Sequence, residues 1–319
     1  MATFEDLSGV RGDSNGVSSN PYDALIAACN DNPKSIQTRY ETHRTVRNAQ
    51  QKAKLLADDF SGVVIDPILH ALETQPRFED PRNCLVFWAR PPVNVRELVA
   101  KVQRRLREVM PKLWLMPLPN LHMTALEITH SKTAPEIASL VDLLAPSAGD
   151  IVNYTSTHRT HLIKPQIGYD TSAIALSFVP AAREATPVGD AVDEDTFTYH
   201  HLRRDLYALA EAAGVAVASR YVVPSAHLTV GRFVHAEELS VDGDILNGVD
   251  REKMRQVVGR IEEINSWLRE EYWPKEAGRE IKEGGEWVVG EERGLDCRKG
   301  RLWYGDGETV VIGKGFGRK

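Results

Sequence analysis

The sequence predicts an α+β fold: two pseudo-symmetric lobes of antiparallel sheet with helices on their outer faces, a central cleft, and a helical N-terminal extension. Three observations predict it. The string Pro-x-x-His-apolar-Thr occurs twice, in "PNLHMTALEI" (Pro119 to Ile128) and in "PSAHLTVGRF" (Pro224 to Phe233), with its histidines 105 residues apart. Each copy runs into an apolar strand that closes a strand, helix, strand unit. The chain, 319 residues at 42% hydrophobic, is long enough to bury a substantial core.

Taken in order, residues 1–19 read as a flexible lead. Glu5, Asp6 and Asp13 and the lack of an apolar run argue against a secretory signal, and Arg11-Gly12-Asp13 reads as a chance tripeptide. Residues 20–79 form the helical extension. Asn20-Pro21 resembles a helix start, the polar stretch from Lys34 to Asp58 predicts a long and mostly exposed helix, and "GVVIDPILHALE" a shorter apolar one.

Residues 80–250 hold the two lobes. "CLVFWA" (Cys84 to Ala89) has strand length and ends at Pro91-Pro92. Val95, Leu98, Val99, Val102, Leu106 and Val109 then recur at three and four, as on a core-facing helix. The first motif supplies the closing strand. In the second unit, "SAIALSFV" (Ser172 to Val179) is the strand and Thr196 to Gly214 the helix, with Thr196 as cap and Gly214 as stop. "AHLTVGRFV" closes it. Residues 251–319 add an amphipathic helix (Arg251 to Trp273) and Gly-punctuated strands, an addition to the edge of one lobe.

The net charge of −6 and pI near 6.0 exclude a protein that grips long double-stranded nucleic acid through many phosphates. No stretch reaches the roughly 18 apolar residues of a membrane span. Cys29, Cys84 and Cys297 are an odd, scattered set without C-x-x-C spacing, read as free thiols. The expectation is an intracellular protein, cytoplasmic or nuclear, with no membrane partner.

Strand geometry gives the motif its chemistry. Residues i and i+2 share a face, so His122 and Thr124 point one way and Met123 the other, and His227 and Thr229 oppose Leu228. Two imidazoles that move protons near neutral pH and two hydroxyls that donate to an oxyanion then converge on the cleft. That set suits a phosphodiester with a sugar hydroxyl as leaving group. One histidine deprotonates water, the other protonates the departing oxygen, and the threonines hold the non-bridging oxygens without a metal or other cofactor.

Paired His-apolar-Thr motifs on the closing strands of duplicated lobes resemble the 2H phosphoesterase superfamily, which includes RNA ligase-like proteins and cyclic nucleotide phosphodiesterases. The resemblance covers about Asn83 to Val234. It implies that His122 and His227 are the catalytic pair and that Thr124 and Thr229 bind phosphate. It also implies a phosphoric diester hydrolase active on a nucleotide or short RNA. Its substrates would be a 2′,3′-cyclic phosphate, a 2′,5′-linked oligonucleotide or a cyclic phosphate derived from ADP-ribose, and ligation is the chemically allowed reverse.

Two further strings, "HRT" at His43 and at His158, have Arg in the middle and no preceding Pro, and read as surface decoys. Two other classes compete. A non-catalytic RNA-end or nucleotide-binding module could use the same fold, though it would not need both histidines and both threonines. A metal-dependent hydrolase could be built on His158, His161, His200 and His201, although "HRTH" lacks the helical H-x-x-x-H spacing. The plainer reading of these four is solvated loop and helix-start histidines. Trp303 and Tyr304, near Arg298, Lys299 and Arg301, can stack a base or pack a hairpin, and Tyr169 and Tyr221 are equally ambiguous.

Overall fold

Local capping sets the N-terminal helices. The chain is described here from a computed structural model over residues 5–9, 20–182, 195–219, 221–275 and 281–317. Asn20 turns the chain into a short helix α1 (Asp23–Ala28), its side chain accepting from the Tyr22 N–H. Asn32 then caps α2 (Pro33–Leu55) by accepting from the Ser35 N–H, with Pro33 in the first turn. Asp66 does the same for α3 (Pro67–Thr74), accepting from the Ile68 and Leu69 N–H groups.

The two expected strand, helix, strand units are present. The first is β1 (Asn83–Ala89), α4 (Val93–Arg107), a two-residue β2 (Trp114–Leu115) and β3 (Met123–Lys132), followed by α5 (Ala134–Asn153). The second is β4 (His161–Tyr169), β5 (Ala173–Pro180), α6 (Tyr199–Ala212) and β6 (Ala226–Arg232). A capping box of Thr198 and His201, not Thr196, starts α6, and Gly214 at φ +83° stops it. Then follow α7 (Arg251–Tyr272), β7 (Glu286–Val288), β8 (Asp296–Gly300) and β9 (Glu308–Ile312).

Among the described residues the molecule therefore mixes seven α-helices with nine antiparallel strands in one sheet of order β7-β4-β5-β6-β3-β1-β8-β9, β2 pairing with β6 beside it. The closing strands of both units, β3 and β6, are neighbours at its centre. On one face Leu85, Phe87, Met123, Ala125, Ile174, Leu176, Leu228 and Val230 enter the main core. There they join the predicted stripe of α4 and the Met254, Val257, Ile261, Leu268 stripe of α7. No described helix is long and apolar enough to cross a membrane.

Three expectations change. First, α2 is not mostly exposed: Ile36, Gln37, Tyr40, His43 and Arg44 are buried. Its polar side chains read as solvent-facing in sequence but reach backbone carbonyls of the sheet. Gln37 donates to Pro180 (2.9 Å), Arg44 to Lys164 (2.7 Å) and Asn48 to Ile167 (2.9 Å). Second, the lead is docked at residues 5–9. Leu7 N–H donates to His43 Nδ1 at 3.0 Å, and Arg39 donates to the carbonyl of the fully buried Ser8. The Arg11-Gly12-Asp13 string lies outside the described residues. Third, the C-terminal strands extend both edges of the sheet: β7 pairs with β4, while β8 pairs with β1 and carries β9.

Candidate active site

One cross-strand pair brings the two motifs together. Met123 of β3 faces Leu228 of β6, and these middle residues are 1% and 0% exposed while the His and Thr on either side are half-buried. In an antiparallel pair, one step each way sets His122 against Thr229 and Thr124 against His227. All four side chains line a single pocket of about 80 Å³ on the face opposite the main core.

A bulge in each strand adds a further residue to this face, and alternation alone does not reveal it. Trp88 pairs with Thr124 but Phe87 with Leu126, so Ala125 is an extra residue and Glu127 comes to face the pocket beside Val86. On β6, Ala175 pairs with Thr229 but Ile174 with Gly231, so Val230 is extra and Arg232 turns to the pocket. Both residues stand five after their histidine. Gly231 is squeezed against β2, where a Cβ would meet the Leu113 side chain and the Trp114 carbonyl at 3.0 Å.

The histidines are held alike. His122 Nδ1–H donates to the Asn120 carbonyl at 2.8 Å, which leaves Nε2 for the pocket, and its ring stacks on Trp88 with centroids 3.8 Å apart. His227 Nδ1 shares a 2.9 Å hydrogen bond with the Ser225 hydroxyl. The partner is two residues upstream each time, directly after the proline of the repeated string. Arg203, fully buried, ties the halves by donating to Ala125 at the β3 bulge and to Val223 ahead of the second motif. Tyr199 donates to the Thr124 carbonyl at 3.1 Å.

Burial, chiefly, pushes His122 down to about 3, with Arg90 and Arg298 adding to it against the opposing Asn120 bond. Burial, then Arg47 and Arg203, takes His227 down to about 4. Both rings are neutral at pH 7, and an anion between them would offset the arginines and favour protonation.

A second space of about 260 Å³ shares Tyr221, His227, Thr229, Arg232 and Trp303 with the first and is walled by α2. Arg47 pairs there with Asp170 at 2.6 Å. His43 belongs to this wall, 5% exposed and lowered to about 4 chiefly by burial, so it is no surface decoy. His158 stacks on Tyr154 (3.9 Å) and lines neither pocket. His200 and His201 are buried as well, not solvated. His200 contacts the Tyr40 hydroxyl and Tyr22 carbonyl, and His201 meets Asp31 and caps α6. His161 lies between Asp195 and Glu286. Among the described residues no group of three His, Cys, Asp or Glu side chains is placed to hold a metal ion. Trp303 and Tyr221 line both spaces, Tyr169 the second, and Tyr304 packs against Leu69 and Val234. The three cysteines form no disulfide and are buried.

No family model and no curated protein matches this chain.

Proposed function

We propose that this protein is a phosphodiesterase that opens a cyclic phosphate, or cleaves a 2′-linked phosphodiester, of a nucleotide or RNA end by two-histidine acid–base catalysis. One histidine takes a proton from water as its oxygen bonds to phosphorus. The other gives a proton to the sugar oxygen as the P–O bond breaks, leaving a phosphomonoester. Thr124 and Thr229 donate to the non-bridging oxygens, where Arg232 adds a positive charge. With the hydroxyl of a second RNA end in place of water as the nucleophile on a cyclic phosphate, the same two proton transfers form the new P–O bond and release the ring's sugar oxygen as a hydroxyl, which is ligation.

The observation that carries this reading is the Met123–Leu228 pairing, which sets both His-apolar-Thr motifs on one pocket. Along the main strand order four strands lie on each side of that junction, with β2 added beside β6, and each closing strand bulges after its threonine, which supports two pseudo-symmetric lobes around a cleft of the 2H phosphoesterase kind. The adjoining space between α2 and β5, with Tyr221 and Trp303 on its walls, has room for a base.

The test is turnover of a panel of nucleoside 2′,3′-cyclic phosphates and 2′,5′-linked dinucleotides, with and without EDTA. We expect at least one member to be hydrolysed to a phosphomonoester at the same rate in chelator. Activity lost in EDTA and restored by zinc or manganese would refute the metal-free mechanism.

A further inference from the structure

We propose that the cavity on the other side of His122 is a subsite for a second phosphate of the substrate, one sugar away from the scissile group; the inference rests on the phosphodiesterase reading. This cavity, about 640 Å³, is the space between the start of α4, the loop leading to His122 and the β8–β9 hairpin. Arg90, Arg96, Arg293 and Arg298 line it against two carboxylates, Glu97 and Asp296. Asp296 is committed, accepting from Arg90 Nε at 2.9 Å and from the Thr309 hydroxyl. Arg96 pairs with Glu292 at 3.5 Å and donates to the Pro91 carbonyl, so four arginines stand against three carboxylates and the wall keeps a positive excess, in a protein whose net charge is −6.

Its arginines are preorganised. Arg90 is held by Asp296 and by the Leu121 carbonyl, immediately before His122. Arg298 donates to the Thr309 hydroxyl and to the Asp306 and Gly307 carbonyls, while its Nε is buried without an acceptor. Pro92 gives α4 no side-chain cap, although Asn94 accepts from the Val95 N–H within the first turn, and the positive dipole end of the helix lies at the same wall. Planar guanidinium groups in this number match phosphate oxygens better than they match a single carboxylate.

Trp88 sets the distance to the chemistry. One of its faces stacks on His122, and both Arg90 (4.7 Å) and Arg298 (5.1 Å) place their guanidinium carbons over the same ring. The Trp88 ring thus touches the His122 imidazole and two of the cavity's arginines alike, which sets the cavity beside the histidine pocket. The substrate class is accordingly a nucleoside cyclic phosphate that carries a further phosphate or diphosphate at its 5′ end.

Two measurements decide it. In steady-state assays of a nucleoside 2′,3′-cyclic phosphate with and without a 5′-phosphate, we expect KM about tenfold or more lower for the phosphorylated form, the size of one charge-assisted hydrogen bond. In Arg96→Ala/Arg293→Ala the ratio of the two KM values should collapse to about one. Calorimetric titration with inorganic pyrophosphate needs no turnover. Wild type and His122→Ala/His227→Ala should bind it, and the arginine double variant about tenfold or more weaker. Arg293→Glu, at an exposed position, serves where the double variant does not fold. Equal KM values in the wild type, or pyrophosphate binding unchanged by the arginine substitutions, overturns the subsite. A panel without any turnover defeats the phosphodiesterase reading, and the titration still decides the arginine cavity.

Discussion

His122 and His227 differ from free imidazoles in one respect that governs the chemistry: the protonated form is rare near neutral pH. Burial takes them to about 3 and about 4. A general acid must carry its proton, and above pH 4 the protonated fraction of such a group rises tenfold for each unit that pH falls. The basic partner stays unprotonated down to about its own value. We therefore expect kcat/KM to climb as pH falls from 8 to 5, and kcat, which reports the complex with the anionic substrate, to bend at higher pH. A kcat/KM that is flat from pH 8 to 6 and falls below 6 would mean that both rings keep ordinary values. The positioning atoms, Asn120 O and Ser225 Oγ, explain why the proline recurs three residues before each histidine, since it fixes the turn from which the partner reaches Nδ1.

At the level of elements, period-2 alternation made the site legible: Met123 and Leu228 are buried, and His122, Thr124, His227 and Thr229 face the pocket. Alternation failed where each strand gained an extra residue, so Glu127 and Arg232 were missed, and no simple sequence signal marks such a bulge except Gly231. The strands of the core and the stripe of α4 followed their periodicity. Helix α2 escaped because it docks with polar side chains on backbone carbonyls, a mode that a hydrophobic pattern does not record. The correction has a consequence for His43. Because its Nδ1 accepts the Leu7 N–H and its ring fills the wall beside the pocket, His43→Ala leaves a buried donor unpaired and a void. We expect a loss of about 1–3 kcal/mol in urea-induced unfolding, against almost none for His158→Ala, which is half exposed on Tyr154. Equal stability of the two variants would return α2 to a loosely attached extension.

For the whole molecule, histidine protonation shapes stability from both sides. His43, His122, His200 and His227 all lie below the unfolded value of 6.5, at about 4, 3, 3 and 4. Their contribution is complete above pH 6.5 and is lost as pH falls through about 4 to about 3, because the unfolded chain then binds more protons. His161 acts oppositely. Burial opposes its charge, yet the flanking Asp195 and Glu286 raise it to about 9. Its contribution is complete below pH 6.5 and is lost as pH rises through 9. Melting temperatures should therefore peak near pH 6.5, and His161→Gln should flatten the alkaline limb alone; a variant that declines in parallel with the wild type would exclude His161 as its cause. The same sheet that carries this balance also holds both motifs on two adjacent central strands, and one measurement tests that they work as a pair. In steady-state turnover of the best panel substrate, with circular dichroism confirming folding, His122→Ala and His227→Ala should each lower kcat by a factor on the order of 10² or more, and the double variant should fall little further. A folded His122→Ala protein that turns over at the wild-type rate would contradict the paired-histidine mechanism.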